Sequence, residues 1–352
     1  MDNIATWSAD ERGGLFSETA KRLKLNPTIV EKDFWVCWTL KHVFSLPIAS
    51  HLLFKGGTSL SKVFNAIRRF SEDVDLSIHR DYLGFGGDND PLLQPSANKR
   101  DAQIALLQQA CADRIRDEFL PQLRTSFEAV LGKEDVPTAS DMTGGQQWSI
   151  SVAAYDAQTV LFTYPSGVNA SAPHLIATGY VAPVVKLEMG ARSDPYPTGS
   201  HSVASYAAEA FPDLFEEREC MVQVLEAERT FWEKATILHA EYHRPVGRTH
   251  ERLSRHYYDL AQLALSDIGT RALADMSLLI RVAEHKKAFF RSGWAKYDEA
   301  RPGSLRLIPS AAKLDVLRHD YDSMKLMIFG DIMPFDRIIE TLQELENRIN
   351  AT

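Results

Sequence analysis

Hydrophobic positions change their spacing along this 352-residue chain. Up to about residue 210, short apolar runs alternate with segments of helical spacing, whereas from about residue 217 only helical spacing remains. Asn26 and Pro27 open the first long helical pattern, because Asn caps a helix and Pro fits its first turn. This order of elements predicts an α/β (α+β) fold with a mixed sheet. Strands are predicted at residues 52–55, 148–153, 159–164 and 184–189.

The second part of the chain reads as a helical domain. Apolar residues from Phe335 to Ile349 recur three and four positions apart, which predicts an amphipathic helix at the end of the chain. An earlier helical pattern over residues 98–131 is interrupted at Pro121. We place the domain boundary near Pro212, which divides the chain into residues 1–212 and 213–352.

Composition restricts the class of protein. Hydrophobic residues make up 45% and charged residues 24% of the chain, as in ordinary soluble globular proteins. No apolar run is long enough to cross a membrane, and the start of the chain lacks the pattern of a signal peptide. The 3 cysteines lie far apart, which disfavours a disulfide framework or structural zinc. We therefore expect a cytoplasmic protein with no membrane partner.

The sequence from residue 54 to residue 78 carries the strongest chemical signal. A predicted strand ends at Gly56 and Gly57, a short helix follows, and a second strand bears Asp73 and Asp75. Side chains two apart on a strand point the same way, so these carboxylates can bind a hard cation such as Mg²⁺. The glycine turn offers backbone N–H groups to phosphates. Glu188, on a later strand, is a candidate third metal ligand; the alternative is a structural turn followed by acids that face water.

The same segment resembles the AbiEii-type nucleotidyltransferase toxins, a family within the polymerase-beta-like nucleotidyltransferase superfamily. The resemblance rests on Ile29–Trp35, Phe54–Lys62 and Arg69–Leu76. It continues through Lys186–Glu188, Glu233–Lys234, Arg255–Leu260, Trp294–Ala295 and Pro302–Leu307 to the C-terminus, and so covers nearly the whole chain. It implies a polymerase-beta-like catalytic domain with a mixed sheet, followed by a helical C-terminal domain. One difference from the wider superfamily is Thr58 after Gly57, with residues 58–72 before the first acid.

The resemblance also implies roles for individual residues. Asp73 and Asp75 match the metal-binding acids, for Mg²⁺ or Mn²⁺, and Lys234 and Asp259 match further essential positions. Lys234 would bind the departing pyrophosphate of a nucleoside triphosphate substrate. Asp259 would orient the acceptor or the nucleotide, or else form a structural ion pair with Arg255 or Lys234. The nucleotide-binding residues would be Gly56, Gly57, Thr58, Ser59, Lys186 and Ser71.

Ser71 lies two residues before Asp73. In some relatives a serine at this position is controlled by phosphorylation, so the resemblance implies a regulatory site here. The alternative is that Ser71 only ends the preceding turn.

Positive charge is concentrated between Tyr242 and Asp259, although the whole chain has a formal net charge of −8. Such a local excess suits RNA phosphates, and the alternative is a solvated helix face. The candidate RNA contacts are Arg244, Arg248, Arg252 and Arg255.

Function follows from the resemblance more than from the residues. It implies a toxin of a bacterial toxin–antitoxin or phage-defence system, neutralised by a cognate antitoxin. The expected reaction transfers a nucleotide to the 3′ end of tRNA and blocks translation. Two alternatives stay open: nucleotidylation or phosphorylation of a protein by the same site, and a nucleotide-binding interaction module without turnover.

Overall fold

The structure is a computed structural model and describes residues 1–134, 147–168, 182–245 and 252–351. Helices α1 to α7 belong to the first part of the chain, and α8 to α13 form the second. In the first part they are α1 Asp2–Ala5, α2 Ala9–Leu23, α3 Pro27–Val43, α4 Gly56–Lys62, α5 Ala97–Arg114, α6 Leu120–Leu131 and α7 Tyr206–Ala210. In the second they are α8 Ala227–His243, α9 Ser254–Ala264, α10 Asp267–Ala274, α11 Met276–Phe289, α12 Ala311–Met324 and α13 Phe335–Asn350.

Among the described residues, seven strands form one mixed sheet in the order β3-β4-β5-β2-β1-β7-β6. Strands β2 and β5 pair in parallel, as do β1 and β7, while the other neighbours are antiparallel. The predicted α/β (α+β) class with a mixed sheet is therefore confirmed. The strands are β1 Leu52–Lys55, β2 Asp73–Ile78, β3 Ser149–Ala153, β4 Asp156–Thr163, β5 Val184–Gly190, β6 Thr198–Ala204 and β7 Glu219–Leu225.

Helix α3 packs on one face of this sheet. It begins at Pro27 as predicted, and the Asn26 side chain accepts a hydrogen bond of 2.9 Å from the backbone N–H of Thr28. Its residues Trp35 and Trp38 are fully buried and contact Phe162 of β4, Trp38 stacked on that ring and Trp35 edge to face with it. Large aromatic side chains bury much apolar area each, so this cluster fixes the helix against the sheet.

The predicted break at Pro121 takes a milder form. Pro121 is the second residue of α6, and a π-helical turn at Ile115–Phe119 directly before it joins α5 to α6. The two helices are therefore continuous along the chain rather than separated by a loop.

The prediction that strands end before residue 217 is wrong. Strand β7 lies at Glu219–Leu225, between β1 and β6, and β6 at Thr198–Ala204 was not predicted at all. The alternation of exposed and buried residues in β7 is typical of a strand with one face on the core and one in solvent. The sheet thus extends past Pro212, and the change from strands to helices falls between Leu225 and Ala227.

The helices from α8 onward surround a second apolar core, which includes Phe231, Leu260 and Leu342. The predicted C-terminal helix is confirmed as α13. Two residues near the glycine turn, Leu60 and Ile67, belong to this second core rather than to the core under the sheet. The helical region is therefore packed directly onto the segment that joins β1 to β2. None of the described helices is long and apolar enough to cross a membrane.

Candidate active site

The sheet brings the predicted acids to one face. Asp75 lies opposite Lys55 of β1 on one side and Glu188 of β5 on the other, while Asp73 lies opposite Lys186. Residues opposite one another in a sheet, and residues two apart on a strand, share a face. The intervening Val74 and Leu76 are fully buried on the other face. The prediction that the two aspartates lie side by side on a firmly held strand is therefore met by the structure.

These acids are crowded with negative charge. Burial raises the pKa of Asp73, and Glu188 and Glu72 raise it further. Burial likewise raises the pKa of Asp75, where Lys55 opposes the rise and Glu188 adds to it. The ionised form of carboxylates that are buried this close together is unfavourable unless a cation binds beside them.

Glu188 is partly exposed and already has a cationic partner. It forms an ion pair with Lys186, and its side chain is 42% exposed. Within the described ranges, no three His, Cys, Asp or Glu side chains already converge as a set of metal ligands. Asp73, Asp75 and Glu188 would therefore have to draw together around a metal, with Lys186 releasing Glu188.

The glycine turn lies directly against these acids. Gly56 has a φ of +82°, and a Cβ atom there would lie 2.0 Å from Asp75 Oδ2. A Cβ atom on Gly57 would lie 2.8 Å from Ser71 Oγ and 2.8 Å from a terminal nitrogen of Arg69. Only glycine fits such close approaches. The turn, Ser71 and the acids therefore meet as predicted.

Thr58 and Ser59 are buried within this turn. The Thr58 hydroxyl donates to the backbone carbonyl of Asp73, and the Ser59 hydroxyl donates to that of Gly56 at 2.9 Å. Both hydroxyls are thus engaged in holding the turn and the start of β2 together.

Asp259 of α9 is fully buried and paired with two cations. Arg69 donates to both of its oxygens, at 2.7 and 2.8 Å, and Lys234 Nζ lies 2.7 Å from Oδ2. Burial alone would raise the pKa of Asp259, but Arg69 and Lys234 hold it well below its usual range. The predicted alternative of an ion pair with Lys234 is therefore present. The stronger, two-bond partner is Arg69, to which no role was given from the sequence.

Lys234 of α8 lies between this pair and the acids. Its Nζ is also 3.5 Å from Nδ1 of His256, whose pKa is held far below its usual range by burial and by the charge of Lys234. Burial lowers the pKa of Lys234, and Asp259 opposes that effect. Its charge acts on Asp75, so Lys234 contributes to the positive side of the site.

The candidate RNA contacts separate in space. Arg255 lies close enough to the acids to lower the pKa of Asp75 against the effect of burial, and Asp73 in turn raises the pKa of Arg255 against the same effect. Arg252 is 3.7 Å from Glu72. Arg244 instead makes hydrogen bonds to Glu241 and stacks on Trp294 at 4.0 Å. Arg248 lies outside the described residues.

Comparison with protein families decides the identity of the chain. The profile of the nucleotidyl transferase AbiEii toxins, type IV toxin–antitoxin system, matches residues 39–341. The chain belongs to this family. It is therefore a nucleotidyltransferase toxin, which implies a nucleoside triphosphate substrate and an antitoxin partner.

A solved structure supports the fold. The nucleotidyltransferase toxin MenT4 from Mycobacterium tuberculosis H37Rv superimposes with a TM-score of 0.51 over 96% of this chain and 90% of its own. The two chains are 14% identical, so the similarity concerns the fold of this AbiEii-family toxin alone. A comparison with curated proteins finds no match.

Sequence reasoning missed residues that hold the toxin's site together. Besides Arg69, these are Asp33 of α3 and Lys62 at the end of α4, which pair at 2.7 Å, with Lys62 Nζ 3.6 Å from the centre of the Tyr206 ring. Buried ionic groups in a helix that otherwise reads as apolar were the available signal, because a buried charge requires a partner. The partner itself, on another element, is not visible in the sequence.

Proposed function

We propose that this toxin transfers a nucleotide from a nucleoside triphosphate to an acceptor hydroxyl with the help of Mg²⁺ or Mn²⁺. The acceptor oxygen forms a bond to the α-phosphorus, the bond to the bridging oxygen breaks, pyrophosphate leaves with the electron pair, and the hydroxyl proton passes to water. One observation carries the proposal: three carboxylates share one face of two parallel strands and are opposed by the cations of α8 and α9.

The residues present fit a divalent cation. Asp73, Asp75 and Glu188 supply hard oxygen ligands from two adjacent strands. Burial raises the pKa of both aspartates and neighbouring carboxylates raise it further, an effect that a bound cation would oppose. When bound, the metal would neutralise phosphate oxygens and favour in-line attack.

The remaining residues bind or position. Gly56 leaves room for Asp75 and Gly57 for Ser71 and Arg69, and Thr58 and Ser59 hold that turn. Lys186 would release Glu188 and contact the nucleotide. Lys234 supplies positive charge beside Asp75, while Asp259 is a positioning residue, because Arg69 and Lys234 occupy both of its oxygens.

For the acceptor we propose the 3′ end of tRNA, whose modification would block translation. Arg252, at the mouth of the site and 49% exposed, supplies local positive charge in an acidic chain. Such charge suits a polyanionic acceptor more than a protein side chain.

A labelling experiment tests the proposal. The purified toxin, Mg²⁺ and each of the four α-³²P-labelled nucleoside triphosphates are incubated with total RNA and with lysate protein. Label on a tRNA-sized band is expected with at least one triphosphate, and it should disappear with EDTA. Asp75→Asn, which keeps the size of the side chain, should lower the rate at least about a hundredfold.

The control variant is Asp298→Asn, which should label RNA at the wild-type rate. Asp298 is exposed, pairs with Lys287 and lies far from Asp75 in the sequence. Label on protein would transfer the proposal to a protein acceptor. Absence of label with all four triphosphates, in RNA and protein alike, would refute nucleotidyl transfer by this site.

A further inference from the structure

A pocket on the helical side of the acids is rich in arginine. It is lined by Arg69, Arg252, Arg255, Asp320, Met324 and Met327. Asp320 accepts hydrogen bonds from the backbone N–H groups of Arg252 and Ser254, at 2.8 and 2.7 Å, and so fixes the start of α9. The pocket wall is therefore held in place by the fold.

The three arginines differ in their partners. Arg69 is committed to Asp259, and Arg252 lies near Glu72. Arg255 is half-buried, yet no hydrogen bond or ion pair to its guanidinium group is found among the described parts of the chain. A desolvated cation without a partner is costly, so this position favours an anion.

Electrostatics points the same way. Burial lowers the pKa of Arg255, and the like charges of Arg69 and Arg252 lower it further. Arg69, which lines the same pocket, reaches the glycine turn that lies against Asp75. An anion at Arg255 would therefore lie beside a metal at the acids, and the effect of Arg255 in lowering the pKa of Asp75 agrees with this placement. A metal-bound polyphosphate satisfies both sides at once, because its oxygens can bind the metal and the guanidinium together.

We propose that Arg255 binds the terminal phosphates of the nucleoside triphosphate and retains the leaving pyrophosphate. This inference rests on the proposed nucleotidyl transfer. It gives Arg255 a role in triphosphate binding rather than in RNA contact. It also reassigns pyrophosphate binding from Lys234 to Arg255, because Lys234 is paired with Asp259. Arg252, at the rim of the pocket, is left to the acceptor.

Binding of inorganic tripolyphosphate tests this assignment without relying on turnover. Calorimetric titration in Mg²⁺ compares the wild type with Arg255→Met, which keeps the apolar stem, and with Arg301→Met, at an exposed arginine outside the pocket. Arg255→Met should weaken binding by about tenfold to a hundredfold, and Arg301→Met should not change it. Arg255→Lys, which keeps the charge but loses the two-pronged donor, should fall between them.

Two further measurements separate this role from a structural one. Without ligand, Arg255→Met should melt at or above the wild-type temperature, because an unpaired desolvated charge is removed. Tripolyphosphate should raise the melting temperature of the wild type but not that of Arg255→Met. Affinity for tRNA should stay the same in this variant.

Wild-type tripolyphosphate affinity in Arg255→Met would overturn the inference, and so would a loss of tRNA affinity with unchanged tripolyphosphate binding. If the wild type labels RNA while Arg255→Met binds tripolyphosphate normally, the inference alone fails. If no triphosphate labels any acceptor but Arg255→Met still weakens tripolyphosphate binding, the anion site stands and nucleotidyl transfer fails.

Discussion

Gly56 shows how closely one residue is fitted to the site. Its positive φ and the 2.0 Å that would separate a Cβ atom here from Asp75 Oδ2 are separate constraints, one on the backbone and one on space. Gly84 has nearly the same φ, +84°, but no atom lies within 4 Å of the corresponding position. The two glycines therefore separate backbone strain from displacement of Asp75.

Gly56→Ala and Gly84→Ala should each lower the free energy of unfolding by about 1–2 kcal/mol, since alanine resists positive φ. Only Gly56→Ala should abolish labelling of the acceptor, because its methyl group displaces Asp75. Urea denaturation and the labelling assay check this pair. Normal nucleotide transfer by Gly56→Ala would show that the reaction does not require Asp75 in the position seen here.

Asp259 illustrates a different constraint on a single residue. Its two cationic partners are themselves buried, so removing the carboxylate leaves both without a counter-charge. Removing Lys234 instead leaves Arg69 and Asp259 as a neutral pair.

We therefore expect Asp259→Ala to lower the free energy of unfolding by about 3–5 kcal/mol, and Lys234→Met to lower it by clearly less. Urea denaturation at neutral pH measures both. Equal losses would mean that Arg69 alone does not compensate Asp259.

At the scale of elements, one aspartate ties the sheet to the helices. Asp194 follows β5, and it accepts hydrogen bonds from Arg229 of α8 at 2.7 Å and from Arg281 of α11 at 2.6 and 2.9 Å. Burial alone would raise the pKa of Asp194, but Arg281 and Arg229 lower it to about 2. The strand that carries Glu188 is thereby held near the helix that carries Lys234.

A lowered pKa in the folded state stabilises the fold above the ordinary value of 3.8, and this stability is lost as the pH falls toward 2. Asp194→Asn should therefore lower the free energy of unfolding by about 2–3 kcal/mol at pH 7. The difference from the wild type should shrink between pH 4 and pH 2. Unfolding curves across this range test it, and a difference independent of pH would assign the loss to packing instead.

At the scale of the whole molecule, the two cores share elements. Leu60 and Ile67, from the segment between β1 and β2, belong to the helical core, while Ala288 and Phe289 of α11 belong to the core under the sheet. The division of the chain into two domains near Pro212 stays a prediction. The strand β7 and the helix α8 that follows it favour a boundary after Leu225.

Because each core contains residues from both parts of the chain, we expect a single cooperative unfolding transition. Scanning calorimetry should give equal calorimetric and van't Hoff enthalpies, and residues 1–226 expressed alone should show no cooperative melting. Two resolved transitions, or a fragment that melts cooperatively, would indicate parts that fold independently.

The sequence by itself determined the local features of this toxin. The start of α3 at Asn26 and Pro27, the strand at Leu52–Lys55 and the last helix follow from capping and periodicity, which act between near neighbours. The acids Asp73 and Asp75 share a face for the same local reason. Strand β7 was missed because Met221 is apolar yet 58% exposed, which obscures the alternation in the sequence; pairing with β1 and β6 makes this segment a strand.

Only the tertiary structure decided which charges meet. Arg69 and Asp259 lie 190 positions apart and Lys62 and Asp33 lie on different helices, yet each pair is buried together. A sequence shows that a charge requires a partner, but the choice of partner depends on how distant elements pack. Arg255 was likewise visible as a charge from the start. Its location beside the acids, rather than on an outer helix face, is set by the docking of α9 onto the segment between β1 and β2.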